Sequence, residues 1–200
     1  MIAALVTAAW LHAASAAAVP VSVQRIQLAG PIPDVEVVDQ EGRKHRFYTD
    51  LVRGKTVVVN AIYTRCTNVC PLLGHAFRDL QIALADRQGR DVHLISISRD
   101  PENDTPEDLA AWRRRFHGKP GWTFVTGKKA AIDAILELLT GDPAYPGGHS
   151  AIALLGDDTT GIWLRDYGAA EPERYEELLA YLAREREATG AAAAEVASSP

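Results

Sequence analysis

The sequence predicts an α/β domain with a central mixed sheet, helices on both of its faces and an N-terminal β-hairpin. Three observations carry that prediction. Residues 56–63 (TVVVNAIY) and 92–97 are apolar runs too continuous for a strand with one wet face, so both belong at the centre of a sheet. Between them Leu73, Ala76, Phe77, Leu80 and Leu84 recur at helical spacing. Late in the chain, residues 151–155 and 162–167 flank the turn-forming Gly156-Asp157-Asp158, which reads as a closing hairpin.

The other elements follow in order. Residues 34–39 (DVEVVD) alternate apolar and polar, and Gln40-Glu41-Gly42 turns the chain into Lys44-His45-Arg46-Phe47, the predicted hairpin. Gly89 is the expected stop of the first long helix. Thr105-Pro106-Glu107-Asp108 is a helix start, with a capping residue, proline at the first helical position and acid in the first turn. Leu109, Trp112 and Phe116 supply that helix's buried stripe, and residues 122–125 form a short strand. Ile132, Ile135, Leu136 and Leu139 mark a third helix. Pro172 opens the last one, with Tyr175, Leu178, Leu179 and Leu182 on one face. Alternating β and α units imply a mainly parallel sheet to which the closing hairpin adds an antiparallel edge, the thioredoxin plan.

The 200 residues suit one domain, expected over residues 30–187. Residues 1–19 are apolar and free of Lys, Arg, Asp and Glu, and they run into Ala14-Ser15-Ala16. They read as a signal peptide or an N-terminal anchor, and so as export to the periplasm or the extracytoplasmic side of a membrane. The alanine-rich residues 188–200 are expected to be a mobile tail. The formal charge of −5 shows no basic excess and excludes a nucleic-acid footprint.

The chain holds two cysteines, Cys66 and Cys70. A disulfide between them closes so short a loop that it adds little stability, so a reactive pair is the better explanation than a structural staple. With Pro71 at the first helical position, Cys70 falls at the N-cap and Cys66 in the preceding loop. Both thiols are then expected near the positive end of the helix, with lowered pKa. Side chains four apart on a helix stand roughly 5–6 Å apart at Cβ, wider than the roughly 3.5–4.5 Å of a disulfide. The loop position of Cys66 can close that gap, and a bridging soft ion such as Cu(I) spans it without strain.

A third donor is sought among six histidines. His149 is favoured by position, because it follows Pro146-Gly147-Gly148 and precedes a strand expected to enter the sheet opposite the cysteine helix. His75, one turn into that helix, is the first alternative. His12, His45, His93 and His117 lie in the leader, the hairpin, a strand and a helix end. Met1 is the single methionine, which excludes a methionine-rich copper site.

Three segments resemble the SCO/SenC family of copper proteins: YTRCTNVCP, its cysteine motif; ISRDPENDTPEDL, its acidic segment; and GGHSAIALL, its histidine segment. Their order and separations match as well, over roughly residues 30–185. The resemblance implies copper ligation by Cys66, Cys70 and His149, with Asp100 in the place of the family's acidic residue near the site. It also implies a metallochaperone for the copper-bearing subunit of cytochrome c oxidase, meeting another copper chaperone or a thiol reductant. The alternative is a thiol-disulfide oxidoreductase that reduces the cysteines of that subunit, with Cys66 and Cys70 as the redox pair. Thr67 stands where many members carry proline, and Gly148 where an aspartate often precedes the histidine. Neither change removes a ligand; both bear on the stiffness of the site. Asp104 is expected to serve the turn before the Thr105 cap. Peroxide reduction is excluded by the absence of a Pro-x-x-x-Thr-x-x-Cys setting.

Overall fold

The computed structural model describes residues 23–141 and 151–198, with side chains described to residue 191. His12, His149 and residues 1–19, the expected signal peptide or anchor, lie outside the described residues. The elements are β1 (Val23–Ile26), β2 (Glu36–Asp39), β3 (Lys44–Arg46), a π-type turn (Phe47–Val52), β4 (Thr56–Ile62) and α1 (Val69–Leu84). There follow β5 (Val92–Ser98), α2 (Pro106–Arg115), β6 (Trp122–Gly127), α3 (Lys129–Thr140), β7 (Ile152–Asp157), β8 (Ile162–Tyr167) and α4 (Pro172–Ser198).

The eight strands form one sheet in the order β1-β8-β7-β4-β5-β6-β2-β3. Every residue of β4 is buried, and its alternation divides the core in two, as a period of two demands. Val57, Val59 and Ala61 pack with Ile132, Ile135, Leu136 and Leu139 of α3 and with Phe47, Leu51 and Val52 of the π-type turn. Val58 and Ile62 face the other way, toward Phe77 and Leu80 of α1, Leu109 and Trp112 of α2, and Tyr175 and Leu178 of α4. Cys66 and Cys70 belong to this second cluster.

The predicted elements are present, with four differences. Only β4–β5 and β5–β6 pair in parallel; β7 joins β4 antiparallel, and so do the remaining named pairs. The sheet is therefore mixed throughout rather than mainly parallel. A continuous apolar run reports burial on both faces, which a central antiparallel strand satisfies equally. Next, β1 precedes the hairpin and pairs with β8 at the opposite edge. Its sequence, VQRI, is too short and polar to show a period. Third, α1 stops at Leu84, not at Gly89. Ala85 takes a positive φ of 48°, a short 3-10 turn follows, and Gly89 is needed where its backbone meets that of Gly121. A Cβ on Gly121 would lie 2.6 Å from the Gly89 nitrogen, so this crossing admits only glycine. Finally, α4 continues to Ser198 through the expected tail. Alanine, the best helix former, sustains a helix with little to bury.

The α2 start is as predicted. Thr105 Oγ1 accepts the Asp108 N–H at 3.2 Å, and Asp108 Oδ2 accepts the Thr105 N–H at 3.0 Å. The Thr105 N–H holds the Asp108 carboxyl below its ordinary value.

Tyr175 anchors α4 in the core with 0% exposure. Burial pushes its phenol up from 10.0 to about 12. The folded state therefore keeps a proton that the unfolded chain releases near 10. The stability tied to that proton is complete below pH 10 and is lost as pH rises toward 12, a change on the order of 2 to 3 kcal/mol. Urea unfolding at pH 9 and pH 11 should show wild type losing more stability than Tyr175→Phe; equal losses would contradict this.

Candidate metal centre

Past Ile62, the end of β4, the chain leaves the sheet and turns at once, with the Cys66 N–H donating to the Tyr63 carbonyl at 3.1 Å. Helix α1 begins at Val69, and its N-cap Asn68 makes no side-chain cap. Cys70 is thus the second helical residue and Pro71 the third, two positions deeper than the N-cap and first position expected. Every N–H of a first turn lacks an intrahelical acceptor, so proline is tolerated across the turn and does not mark its first residue.

What caps the helix is sulfur. The Cys70 N–H donates to Cys66 Sγ at 3.3 Å, so the Cys66 sulfur stands where N–H groups and the helix dipole both favour negative charge. Burial pushes the Cys66 thiol up, but bonds from the Cys70 thiol, the Cys70 and Asn68 N–H groups and the Tyr63 hydroxyl outweigh it, leaving the pKa below 9.0. Cys70 behaves in the opposite sense. Its burial, followed by its bond to Cys66, pushes it up to about 12. The expectation that both thiols would fall is corrected here. One sulfur receives the donors, while the other lies behind it in the core and would have to ionise beside an existing thiolate. Both are free cysteines and both are buried, 3% and 2% exposed.

Sequence reasoning missed two neighbours. Tyr63 donates its hydroxyl to the Cys66 sulfur, which raises its own pKa together with burial. Arg99 lies with its guanidinium 5.9 Å from the Tyr63 ring centroid, and its charge favours ionisation of Cys70. Both were visible within the quoted motifs, but only the fold puts Arg99, at the close of β5, beside the end of β4.

Asp100 is occupied by its own turn. Its Oδ1 accepts the Asn103 side-chain amide at 2.8 Å, and its carbonyl accepts the N–H groups of Asn103 and Asp104 at 3.0 and 2.8 Å. The acid bonded to the cysteine loop is Asp104, 2% exposed, which takes the Thr64 hydroxyl and the Ser98 hydroxyl at 2.6 Å each.

The histidines separate clearly. His75 is exposed and meets Phe116 edge-on at 5.1 Å. His45 bonds Asp39 Oδ2 at 2.8 Å in the β2–β3 hairpin. His93, in β5, is held below its ordinary pKa by burial and by Lys55. His117 sits at the α2 exit with a φ of 54°. Among the described residues no third His, Cys, Asp or Glu completes a metal-binding group with the sulfurs. The sheet register nevertheless orients β7 informatively. Asn60 pairs with Ala153, so β7 enters at Ile152 from the same sheet end at which β4 releases the cysteine loop. His149 is three residues upstream of that entry.

Among the described residues no helix is long and apolar enough to cross a membrane.

Comparison with known proteins agrees with this architecture. A family model described as SCO1/SenC matches residues 32–141. A SCO1 protein homolog of Bacillus subtilis is 29% identical over 137 residues, covering 64% of this chain and 69% of its own. A SCO2-like protein of Rickettsia felis is 24% identical over 144 residues, 67% of each chain. Among solved structures, BsSco, a member of the Sco family of cytochrome c oxidase assembly proteins, superposes with a TM-score of 0.65 at 23% identity, covering 82% of this chain and 96% of its own. Yeast Sco1 with copper bound gives a TM-score of 0.63 at 18% identity, covering 80% and 95%. These similarities establish the thioredoxin-like fold, and because the family match spans more than half of its length, the chain belongs to the SCO1/SenC family.

Proposed function

We propose that this protein is an extracytoplasmic copper metallochaperone that holds one Cu(I) between Cys66, Cys70 and His149 and delivers it to the copper-bearing subunit of cytochrome c oxidase. The observation that carries this reading is the contact between Cys66 Sγ and the Cys70 N–H at 3.3 Å, which gathers both sulfur-bearing residues at one helix terminus. Thiolates select soft ions, and the lowered Cys66 pKa supplies one thiolate readily. Copper binding would favour ionisation of Cys70, because a coordinating thiol is deprotonated by the ion. His149 adds a third donor from the chain segment that enters the sheet at the same end. The relatives support the cargo and the recipient: yeast Sco1 is known with copper bound, and BsSco is a cytochrome c oxidase assembly protein. Residues 1–19 then serve as a signal peptide or anchor.

The unequal thiols favour a second reading, a thiol-disulfide oxidoreductase acting on the recipient's cysteines. The Cys66 thiolate attacks one sulfur of the partner's disulfide and expels the other as a thiolate. Cys70 then loses its proton and attacks Cys66 Sγ, releasing the second partner thiolate and leaving a Cys66–Cys70 disulfide. Two electrons pass to the partner.

His149→Ala separates the readings. An imidazole is a copper donor but neither an attacking nor a resolving thiol. The variant should bind Cu(I) about tenfold or more weakly in a chelator competition, while still reducing a partner-derived disulfide peptide. Unchanged copper affinity with abolished reduction would favour the oxidoreductase.

A further inference from the structure

Asp104 has no local task left for its carboxylate. The N-terminus of α2 is already capped by Thr105 and Asp108, and the turn from residue 100 to 104 is closed by the Asp104 N–H donating to the Asp100 carbonyl at 2.8 Å. The carboxylate bonds instead to the end of β5 and to the loop after β4. It accepts the Ser98 hydroxyl at 2.6 Å, the Thr64 hydroxyl at 2.6 Å and the Thr64 N–H at 3.2 Å to each oxygen. Ser98 ends β5, and Thr64 lies two residues beyond β4. The bonds therefore tie the approach to α2 onto the cysteine loop across 40 positions of sequence. A carboxylate 2% exposed is costly unless its oxygens are well bonded, and here hydroxyls and a peptide N–H supply the bonds. The loop gains in turn. Thr64 follows Tyr63, whose carbonyl receives the Cys66 N–H at 3.1 Å and whose hydroxyl bonds the Cys66 sulfur.

We propose that Asp104 is a positioning residue for the cysteine pair: through Thr64 it fixes the loop that sets the Cys66 sulfur against the first turn of α1. The proposal rests on the reading of Cys66 and Cys70 as the working sulfurs. It predicts that the loop, once released, lets the two sulfurs meet less often, because their effective concentration depends on how tightly the loop is held.

The test equilibrates the protein with glutathione buffers, where the two thiols give two electrons and two protons to glutathione disulfide, which leaves as two molecules of glutathione. The fraction of protein disulfide is read by mass after trapping of free thiols. At one fixed buffer, Asp104→Asn and Thr64→Val should each lower the disulfide-to-dithiol ratio about tenfold, the effect of one lost bond to a charged acceptor. Thr64→Ser keeps the hydroxyl that Thr64→Val removes, and should stay within about twofold of wild type. The double variant should shift little beyond either single one, since both act on the bond between the Thr64 hydroxyl and Asp104. Should Asp104→Asn fail to fold, Thr64→Val against Thr64→Ser decides alone. A wild-type ratio in folded Asp104→Asn or Thr64→Val, or a Thr64→Ser ratio as low as that of Thr64→Val, would overturn the proposal. The readout needs no copper, so a wild-type protein that binds no Cu(I) would defeat the cargo reading and leave this measurement decisive.

Discussion

Cys66→Ala and Cys70→Ala should each weaken Cu(I) binding on the order of a hundredfold or more, because either change removes one of only two thiols in the chain. The fold should survive. Both side chains sit in the core cluster beneath α1, 3% and 2% exposed, so each loses packing worth about 1–2 kcal/mol. The loop between the two is too short for a disulfide to add much by chain entropy. Paired measurements check this: chelator competition for the metal, urea unfolding for the fold. Copper affinity should collapse while the unfolding midpoint moves modestly. If either variant is unfolded at room temperature, the cysteines are structural. If either keeps full copper affinity, the assigned donor set is wrong.

A second large effect follows from the unequal acidity of the thiols. Iodoacetamide given in limiting amount to reduced protein at pH 8 should modify Cys66 well before Cys70. Hydrogen bonds from the α1 N–H groups, the Cys70 thiol and the Tyr63 hydroxyl hold Cys66 below the ordinary thiol value, while burial pushes Cys70 well above it. Thiolate population then favours Cys66. A less basic thiolate is also a weaker nucleophile, which trims the preference without reversing it. Peptide mapping gives the ratio directly. Raising the pH toward 12 should narrow it, as Cys70 begins to ionise. Equal labelling at pH 8 would show that the helix N–H groups and the Tyr63 hydroxyl do not discriminate between the sulfurs. Tyr63→Phe should reduce the preference, since it removes one of the donors that favour the Cys66 thiolate.

The sequence revealed what depends on near neighbours. The Thr105–Asp108 capping box spans four residues and formed where its residue types placed it. The central position of β4 followed from an unbroken apolar run, and the two cysteines stood out by being alone. What stayed hidden depends on distant partners. The bond between Thr64 and Asp104 crosses 40 positions, so Asp104 looked like a turn residue, while Asp100, the more conspicuous acid, is spent on the turn itself. The split between the thiols arises from which sulfur faces the helix N–H groups, a matter of two positions in the start of α1. The direction of β7 was hidden for a similar reason: burial shows in composition, whereas strand polarity shows only in the pairing.

In the proposed function two thiolates hold the cargo, and one titration decides whether they do. Reduced protein, titrated anaerobically with Cu(I) against a chelator of known affinity, should take up one equivalent, and the same protein oxidised to the Cys66–Cys70 disulfide should take up none at that affinity. Equal binding by the reduced and oxidised forms would contradict the account.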